Sequence, residues 1–461
     1  MKALRDPQSL LADGLAAIRT QFQVPEGFPP QVLAAAEAAA SRSPSEHADW
    51  TGKDFVTLDP ASSTDLDQAF AIEASGGDML LHYAIADVAW FVTGGDPVDA
   101  EAWKRGTTTY LPDGKASLHP PVLSERAASL LPDGPRPAVV LSVRIAPEGR
   151  ARLDGATRAI VRSRAKLAYE TVRDEDLPAG FTEIASRIDA AENARGAARI
   201  DPPEQEVETD AAGRFTLRFR PQLASERYNA ALSLAANLAV ADALLAAHTG
   251  LFRVMAPPDE RAVLRLRGTA KAFHMDWPEA MPLTRFEKLL DPRSPRDAAF
   301  MMALRRAGNG ASYAPWREGE TPWHAAMAAT YAHCTAPLRR LADRYVLQAA
   351  LAVANGRPVP GEATDAFERL PAAMARADAR DGQIERAVID LAEIALLANC
   401  EGETFPAVVT DVGESGARIQ LGDLPVVART RAPGALPGET IQVRLARADP
   451  VQRRLEFERQ D

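Results

Sequence analysis

The chain has 461 residues, 46% hydrophobic and 25% charged, a balance that suits a soluble globular protein of about three domains. Its formal net charge of −10 excludes wrapping of nucleic acid over the whole outer surface but leaves room for a local basic channel. No run of about eighteen uninterrupted apolar residues occurs, and MKALRDPQSLLADGL lacks the apolar core of a signal peptide; a cytoplasmic protein without a membrane span is expected. Two cysteines, Cys334 and Cys400, are too few for a disulfide framework and too isolated for a zinc site, so they read as free thiols.

In chain order, residues 7–20 and 30–41 predict two short helices, separated by VPEGFPP, whose prolines interrupt helical hydrogen bonding. The pair reads either as a helix-turn-helix touching nucleic acid or as a packing cap, and no basic recognition face distinguishes them. From about residue 53, FVTLDP, QAFAIEA, MLLHYAIADVAWFV and AVVLSVRI (138–145) predict strands. Alanine and leucine content predicts helices over 161–199 and 223–249, with PPEQEVETDAAGRFTLRF between them as a hairpin turning at Ala-Gly. Further helices are predicted over 296–307, 321–333, 337–354 and 364–398. Past Cys400, about five short strands with glycine turns suit a small OB-type barrel. The result is an α+β protein.

The segment TLDPASSTDLDQAF carries Asp59, Asp65 and Asp67. Asp65 and Asp67 point the same way in an extended chain, and the loop from Pro60 to Thr64 is short enough to return Asp59 beside them. Three carboxylates this close repel unless a cation or proton neutralises them. Hard oxygen donors suit magnesium, which phosphodiester hydrolysis uses to activate water and stabilise the leaving oxygen. On spacing alone, a solvated acidic loop, a calcium site or a nucleotide-sugar transferase element fits equally.

Five segments occur in order: TLDPASSTDLDQAF, HYAIADVAWFV, EAWKRGTTTYLPDG, LSERAASLLPDGPRPAVVLSV and YAHCTAPLRRLADRYV. Together they closely resemble the ribonuclease II family, processive 3′→5′ exoribonucleases that release nucleoside 5′-monophosphates. The resemblance covers about residues 50–400, and the tail resembles the S1 RNA-binding domain that usually follows. It implies a short helical N-terminal segment (1–46), an RNB-type catalytic domain (47–399) and an S1-like OB barrel (400–461). By that similarity Asp59, Asp65 and Asp67 match three aspartates of the magnesium site, which would take one or two ions, with Gln68 beside them. Tyr110 matches an aromatic that stacks on a base and limits product length; a strand tyrosine closing a core is the plain alternative. Arg339 matches an arginine that reaches the scissile phosphate. Pro337 suits a first helical turn, which would put Thr335 and Ala336 at a helix N-terminus favourable to anions; Arg339 and Arg340 add charge there. Pairing with Asp343 along an exposed helix is the plain alternative, stronger for Arg340 and Arg344 than for Arg339. Glu385 resembles a glutamate near the nucleotide exit, and reads equally well as a surface charge.

Four departures stand out. Gln68 replaces an aspartate, weakening the case for a second magnesium. The family's paired glutamates are absent around Asn229, Ala230 and Ala231, where sugar recognition would be expected. The usual pair of N-terminal OB domains does not fit in about fifty residues. The tail has only Phe405 and Phe457 as aromatics. The expectation is a magnesium-dependent exonuclease acting on single-stranded RNA as a monomer, leaving short oligonucleotides, with structured RNA bearing a 3′ overhang as an open extension. The alternative is an RNA-binding or regulatory protein on the same scaffold that has lost turnover.

Overall fold

The computed structural model describes residues 10–197, 204–209, 215–220, 222–291, 294–308, 310–413, 416–422 and 424–460. The strands expected between residues 53 and 145 form the centre of a seven-stranded sheet. Its order is Ala48–Asp49, Ala151–Val161, Arg136–Ile145, Asp78–Ala86, Gln68–Ser75, Phe55–Asp59 and Ser163–Ala168. Pairing is antiparallel except at the two edges, where Ala48–Asp49 and Ser163–Ala168 each join a parallel neighbour. Period-two alternation sorts the side chains: Phe70, Tyr83 and Leu141 stand in register on one face, Ala69, Ala84 and Val140 on the other. The first face packs with helices Ala224–Ala246 and Leu341–Ala354, the second with Pro30–Ala40. Ala224–Ala246 is apolar nearly all round because it is enclosed by protein. It is long and apolar enough to pass for a membrane span, yet 67% of that window is buried inside the fold.

Three expected helices need correction. Among the described residues of 161–199 only Phe181–Arg195 is α-helical, with a 3₁₀ turn at Asp174–Asp176, and Ser163–Ala168 is an edge strand beside Phe55–Asp59; pairing to an open sheet edge overrides the alanine preference. The stretch 321–333 holds two paired two-residue strands, Trp323–His324 and Ala329–Thr330, around a single 3₁₀ turn. The helix expected from 337 begins at Leu341. Before it, Pro337 to Arg339 form a turn in which the Ala336 carbonyl accepts from the amides of Arg339 (3.2 Å) and Arg340 (2.9 Å). The hairpin Glu204–Thr209 with Phe215–Arg220 forms as expected; its Ala-Gly turn lies outside the described residues. A helical excursion, Glu260–Ala272, Leu283–Glu287 and Pro295–Ala307, lies between the paired strands Leu251–Val254 and Ser312–Pro315 with its own aromatic core; its first two helices were not anticipated.

The two N-terminal helices bury their apolar faces in separate places. Leu11, Leu15 and Ile18 of Leu10–Gln21 pack with Ile384 and Leu391 of the 37-residue helix Gly361–Leu397, while Val32 and Ala36 pack over the sheet. A Cβ on Gly14 would lie 2.5 Å from Leu391 Cδ2, so a larger residue there would require the Leu391 side chain to shift. The C-terminal strands Thr404–Gly413, Gly416–Leu421, Val427–Arg431, Thr440–Asp449 and Arg454–Gln460 close into the expected five-stranded barrel. Its core is continuous with that of the long helix.

Candidate functional site

The acidic residues sit where the sheet runs out. Asp59 ends its strand, and Asp65 and Asp67 lie in the connection before Gln68–Ser75. That connection is pinned by the LSERAASLLP segment. The Leu66 amide donates to Ser129 Oγ (2.9 Å), Ser129 Oγ donates to the Thr64 carbonyl (2.8 Å), and the Leu130 amide donates to the Leu66 carbonyl (3.0 Å). The PLRR turn docks on the same place: the Leu338 amide donates to Asp67 Oδ1 (2.7 Å), and Arg339 Nε lies 3.4 Å from Asp67 Oδ2. The GTTTYLP segment completes the ring. The Thr108 amide donates to the Arg339 carbonyl (3.0 Å), and the Leu341 amide donates to the Gly106 carbonyl (3.0 Å). Gly106 has φ +75°, and a Cβ there would lie 2.7 Å from Ala377 Cβ, so this turn needs glycine. Asp381 of the long helix then accepts from Thr107 Oγ1 (2.5 Å) and Thr109 Oγ1 (2.8 Å).

Electrostatically the site is short of positive charge. Burial pushes the carboxyls of Asp59 and Asp67 up to about 7; Arg339 pulls both down, and Asp65 adds repulsion. Asp59 Oδ2 is buried without a hydrogen-bond partner. Among the described residues no three acidic, histidine or cysteine side chains are already gathered to hold an ion. The orphaned Asp59 oxygen beside hard carboxylate donors nonetheless fits a divalent cation, whose charge would relieve the burial cost of the acids.

The other expected site residues separate. Tyr110 is 56% exposed, and its hydroxyl donates to Asp65 Oδ2 at 3.4 Å, leaving a ring face open beside the acids. Arg339, with a side chain 43% exposed, faces them. Arg340 is instead tied to buried Asp343 by two hydrogen bonds, Nε to Oδ1 (2.9 Å) and Nη2 to Oδ2 (2.7 Å); Asp343 also accepts from the Ala336 amide (2.8 Å). Arg340 therefore holds the turn in shape, its guanidinium committed to Asp343 and not turned to the acids. Thr335 is buried, its hydroxyl 3.0 Å from Ser233 Oγ and 3.4 Å from Asn237 Nδ2; it points into the core, and no helix begins beside it. The Gln68 carbonyl accepts from the Tyr83 hydroxyl, so one of its two acceptor positions is already used. Glu385 is exposed on the long helix, one turn beyond Asp381, and lines a different feature.

That feature is a cleft of about 1800 Å³ between the long helix and the barrel, lined by Arg386, Arg418, Arg429, Arg431, Arg453 and Arg454 among others. Its arginines outnumber the acids that also line it, Glu385, Asp390, Glu393, Glu456 and Glu458, so it is basic on balance on a chain of net charge −10. Phe457 is buried and Phe405 half-buried, so the barrel offers charge here more than stacking faces.

Two residues at the acidic site escaped the sequence reading. Lys115 Nζ lies 2.7 Å from Asp65 Oδ1 and 3.0 Å from Glu125 Oε1; the Pro-Asp-Gly turn after Tyr110 was the available signal, since a tight hairpin there sets Lys115 opposite Tyr110. Tyr169 donates its amide to the Asp59 carbonyl (3.2 Å) and its hydroxyl accepts from Asn229 Nδ2 (2.8 Å). Burial, then the charge of Asp59, pushes that phenol above its ordinary range. Nothing local in the sequence marked it.

The sequence matches the RNB domain over residues 47–355 and the RNase II-type exonuclease C-terminal S1 domain over 403–460. Ribonuclease R of Aquifex aeolicus is 27% identical over 431 residues, covering 87% of this chain and 60% of that protein; the chain thus spans about three-fifths of that relative's length. In fold, the chain resembles Mycoplasma genitalium RNase R in complex with ribose-methylated single-stranded RNA, with TM-score 0.85 at 20% identity, covering all of this chain and 79% of the other. It also resembles yeast Ssd1, a pseudonuclease, with TM-score 0.68 at 16% identity, covering 98% of this chain and 58% of the other. The chain therefore belongs to the RNB family of exoribonucleases, with the family's S1 domain at its C-terminal end.

Proposed function

We propose that this chain is a magnesium-dependent exoribonuclease that shortens single-stranded RNA from the 3′ end, releasing nucleoside 5′-monophosphates and leaving short oligonucleotides. The observation that carries this reading is the buried, unpartnered Asp59 Oδ2, which shares Asp65 and Arg339 as charged neighbours with buried Asp67, and the open face of Tyr110 at Asp65. A magnesium ion held on the Asp59 and Asp67 side of the aspartate cluster, with Asp65 adding its charge from beside them, would supply Lewis-acid activation of water and neutralisation of phosphate charge. Arg339 gives the phosphate a planar, two-pronged contact, and Asp67 orients it. Tyr110 stacks on a base without regard to its identity, as an exonuclease requires. The arginine cleft offers the backbone an electrostatic path towards the site, independent of sequence. The protein acts in the cytoplasm as a monomer, and structured RNA with a 3′ overhang is a further substrate to try.

One observation favours a second reading, an RNA-binding protein without turnover on the same scaffold. Gln68 brings no charge to the site and its carbonyl already serves Tyr83. Incubating purified protein with RNA, with and without magnesium, and identifying the products separates the two. Mononucleotide release only with magnesium supports the first reading; tight binding with intact RNA supports the second.

A further inference from the structure

We propose that Lys115 is a resident positive charge of the acidic site. It holds the place at Asp65 that a second divalent ion would need, so the site works with one ion. This rests on the metal-dependent reading above. Both oxygens of Asp65 are already engaged: Oδ1 by Lys115 Nζ at 2.7 Å and Oδ2 by the Tyr110 hydroxyl at 3.4 Å. The two groups are direct cross-strand partners in the hairpin Thr109–Leu111 with Gly114–Ala116, so they project from the same side of the ribbon. The hairpin is anchored in turn, because Asp381 holds Thr107 and Thr109 from the long helix.

The ammonium is not a loose surface charge. The side chains of Lys115 and Asp65 are 22% and 9% exposed, and Glu125 takes a second contact at 3.0 Å. A partly buried ammonium bridging two carboxylates is costly to displace, since an ion taking its place at Asp65 would leave Glu125 uncompensated. Charge counting points the same way. Asp59, Asp65, Asp67 and Glu125 face the cations Lys115, Arg339 and, beside Asp59, Lys166, leaving one negative charge, which a single divalent ion already exceeds. Gln68, next to Asp67 in the chain, adds no further charge for a second ion to meet. Asp59 Oδ2 and Asp67 remain the under-compensated side of the site, and that side is where the single ion belongs.

The test is a titration of the full chain with Mn²⁺, read by the electron paramagnetic resonance signal of free ion, with the Asp67→Asn chain run in parallel to mark ions bound elsewhere. The wild type is expected to bind one ion above that background, Lys115→Met two, and Lys115→Arg one. Two ions in the wild type, or one in Lys115→Met, would overturn the proposal. No ion above background in the wild type would instead overturn the metal-dependent reading on which it rests. If Lys115→Met does not melt like the wild type, Lys115→Gln, which keeps the length and a polar tip, is read by the same count.

Discussion

Replacing Asp67 by Asn should abolish turnover and, in the absence of metal, make the protein more stable at alkaline pH. The Asp67 carboxyl is buried and pushed from 3.8 up to about 7. A group whose folded pKa is raised binds more protons folded than unfolded, so stability falls as pH rises from about 4 through about 7. At ~1.4 kcal/mol per unit, the full cost of ionising Asp67 above pH 7 is about 4 kcal/mol. Asn keeps the acceptor for the Leu338 amide and avoids that cost, but loses the Arg339 contact and buries an amide donor, worth about 1–3 kcal/mol. The net expectation is a gain of about 1–3 kcal/mol at pH 8, shrinking towards pH 5. Urea denaturation with a chelator at both pH values measures it. Magnesium should then stabilise the wild type at pH 8 and leave Asp67→Asn unmoved. A variant less stable than wild type at pH 8 in chelator, or one that still releases mononucleotides, would refute this account of the site.

Four further outcomes are expected. Tyr110→Ala should lengthen the shortest RNA product on a denaturing gel while changing stability by less than about 0.5 kcal/mol, because the side chain is exposed. Arg339→Lys should lower kcat about 10- to 100-fold with RNA affinity nearly unchanged, since a point charge does not replace a planar fork. Reversing charge in the cleft, Arg429→Glu or Arg431→Glu, should weaken RNA binding at low salt and flatten the salt dependence by about 0.7 per lost phosphate contact, as fluorescence anisotropy would report. Glu393 accepts from Gln205 Nε2 (2.6 Å) and the Val427 amide (2.7 Å), joining the long helix to the hairpin and barrel. Burial pushes its carboxyl up to about 8, so its contribution is lost as pH rises from the ordinary range through about 8; Glu393→Gln should melt higher than wild type at pH 9 and alike at pH 5.

The sheet was legible because its strands are short apolar runs rich in β-branched and aromatic residues, buried on both faces, and the barrel because its strands are short and punctuated by glycine. Ser163–Ala168 was not, because nothing in SRAKLA marks a strand; the open edge of Phe55–Asp59 made it one. The PLRR turn was misjudged for a related reason. Pro337 suits a helix start, but Asp67, 271 residues away, captures the Leu338 amide, and Asp343 captures that of Ala336. The acids, Arg339 and Tyr110 were singled out through ordered motifs, and the structure brings four of those motifs together: the TDLD, LSERA, PLRR and GTTTY segments are hydrogen-bonded around one ring. Lys115 and Tyr169 escaped because their meaning depends on cross-strand and cross-sheet neighbours. Thr335 and Arg340 looked like substrate contacts by proximity in sequence, whereas buried partners turn both inward.

Magnesium-dependent 3′→5′ degradation is read out by a 5′-labelled single-stranded RNA followed in time with and without magnesium. Shortening one nucleotide at a time from the 3′ end, nucleoside 5′-monophosphates as the released product, and no reaction in chelator are expected. Internal cuts, shortening from the 5′ end, or RNA that stays intact in magnesium while bound to the protein would contradict this reading.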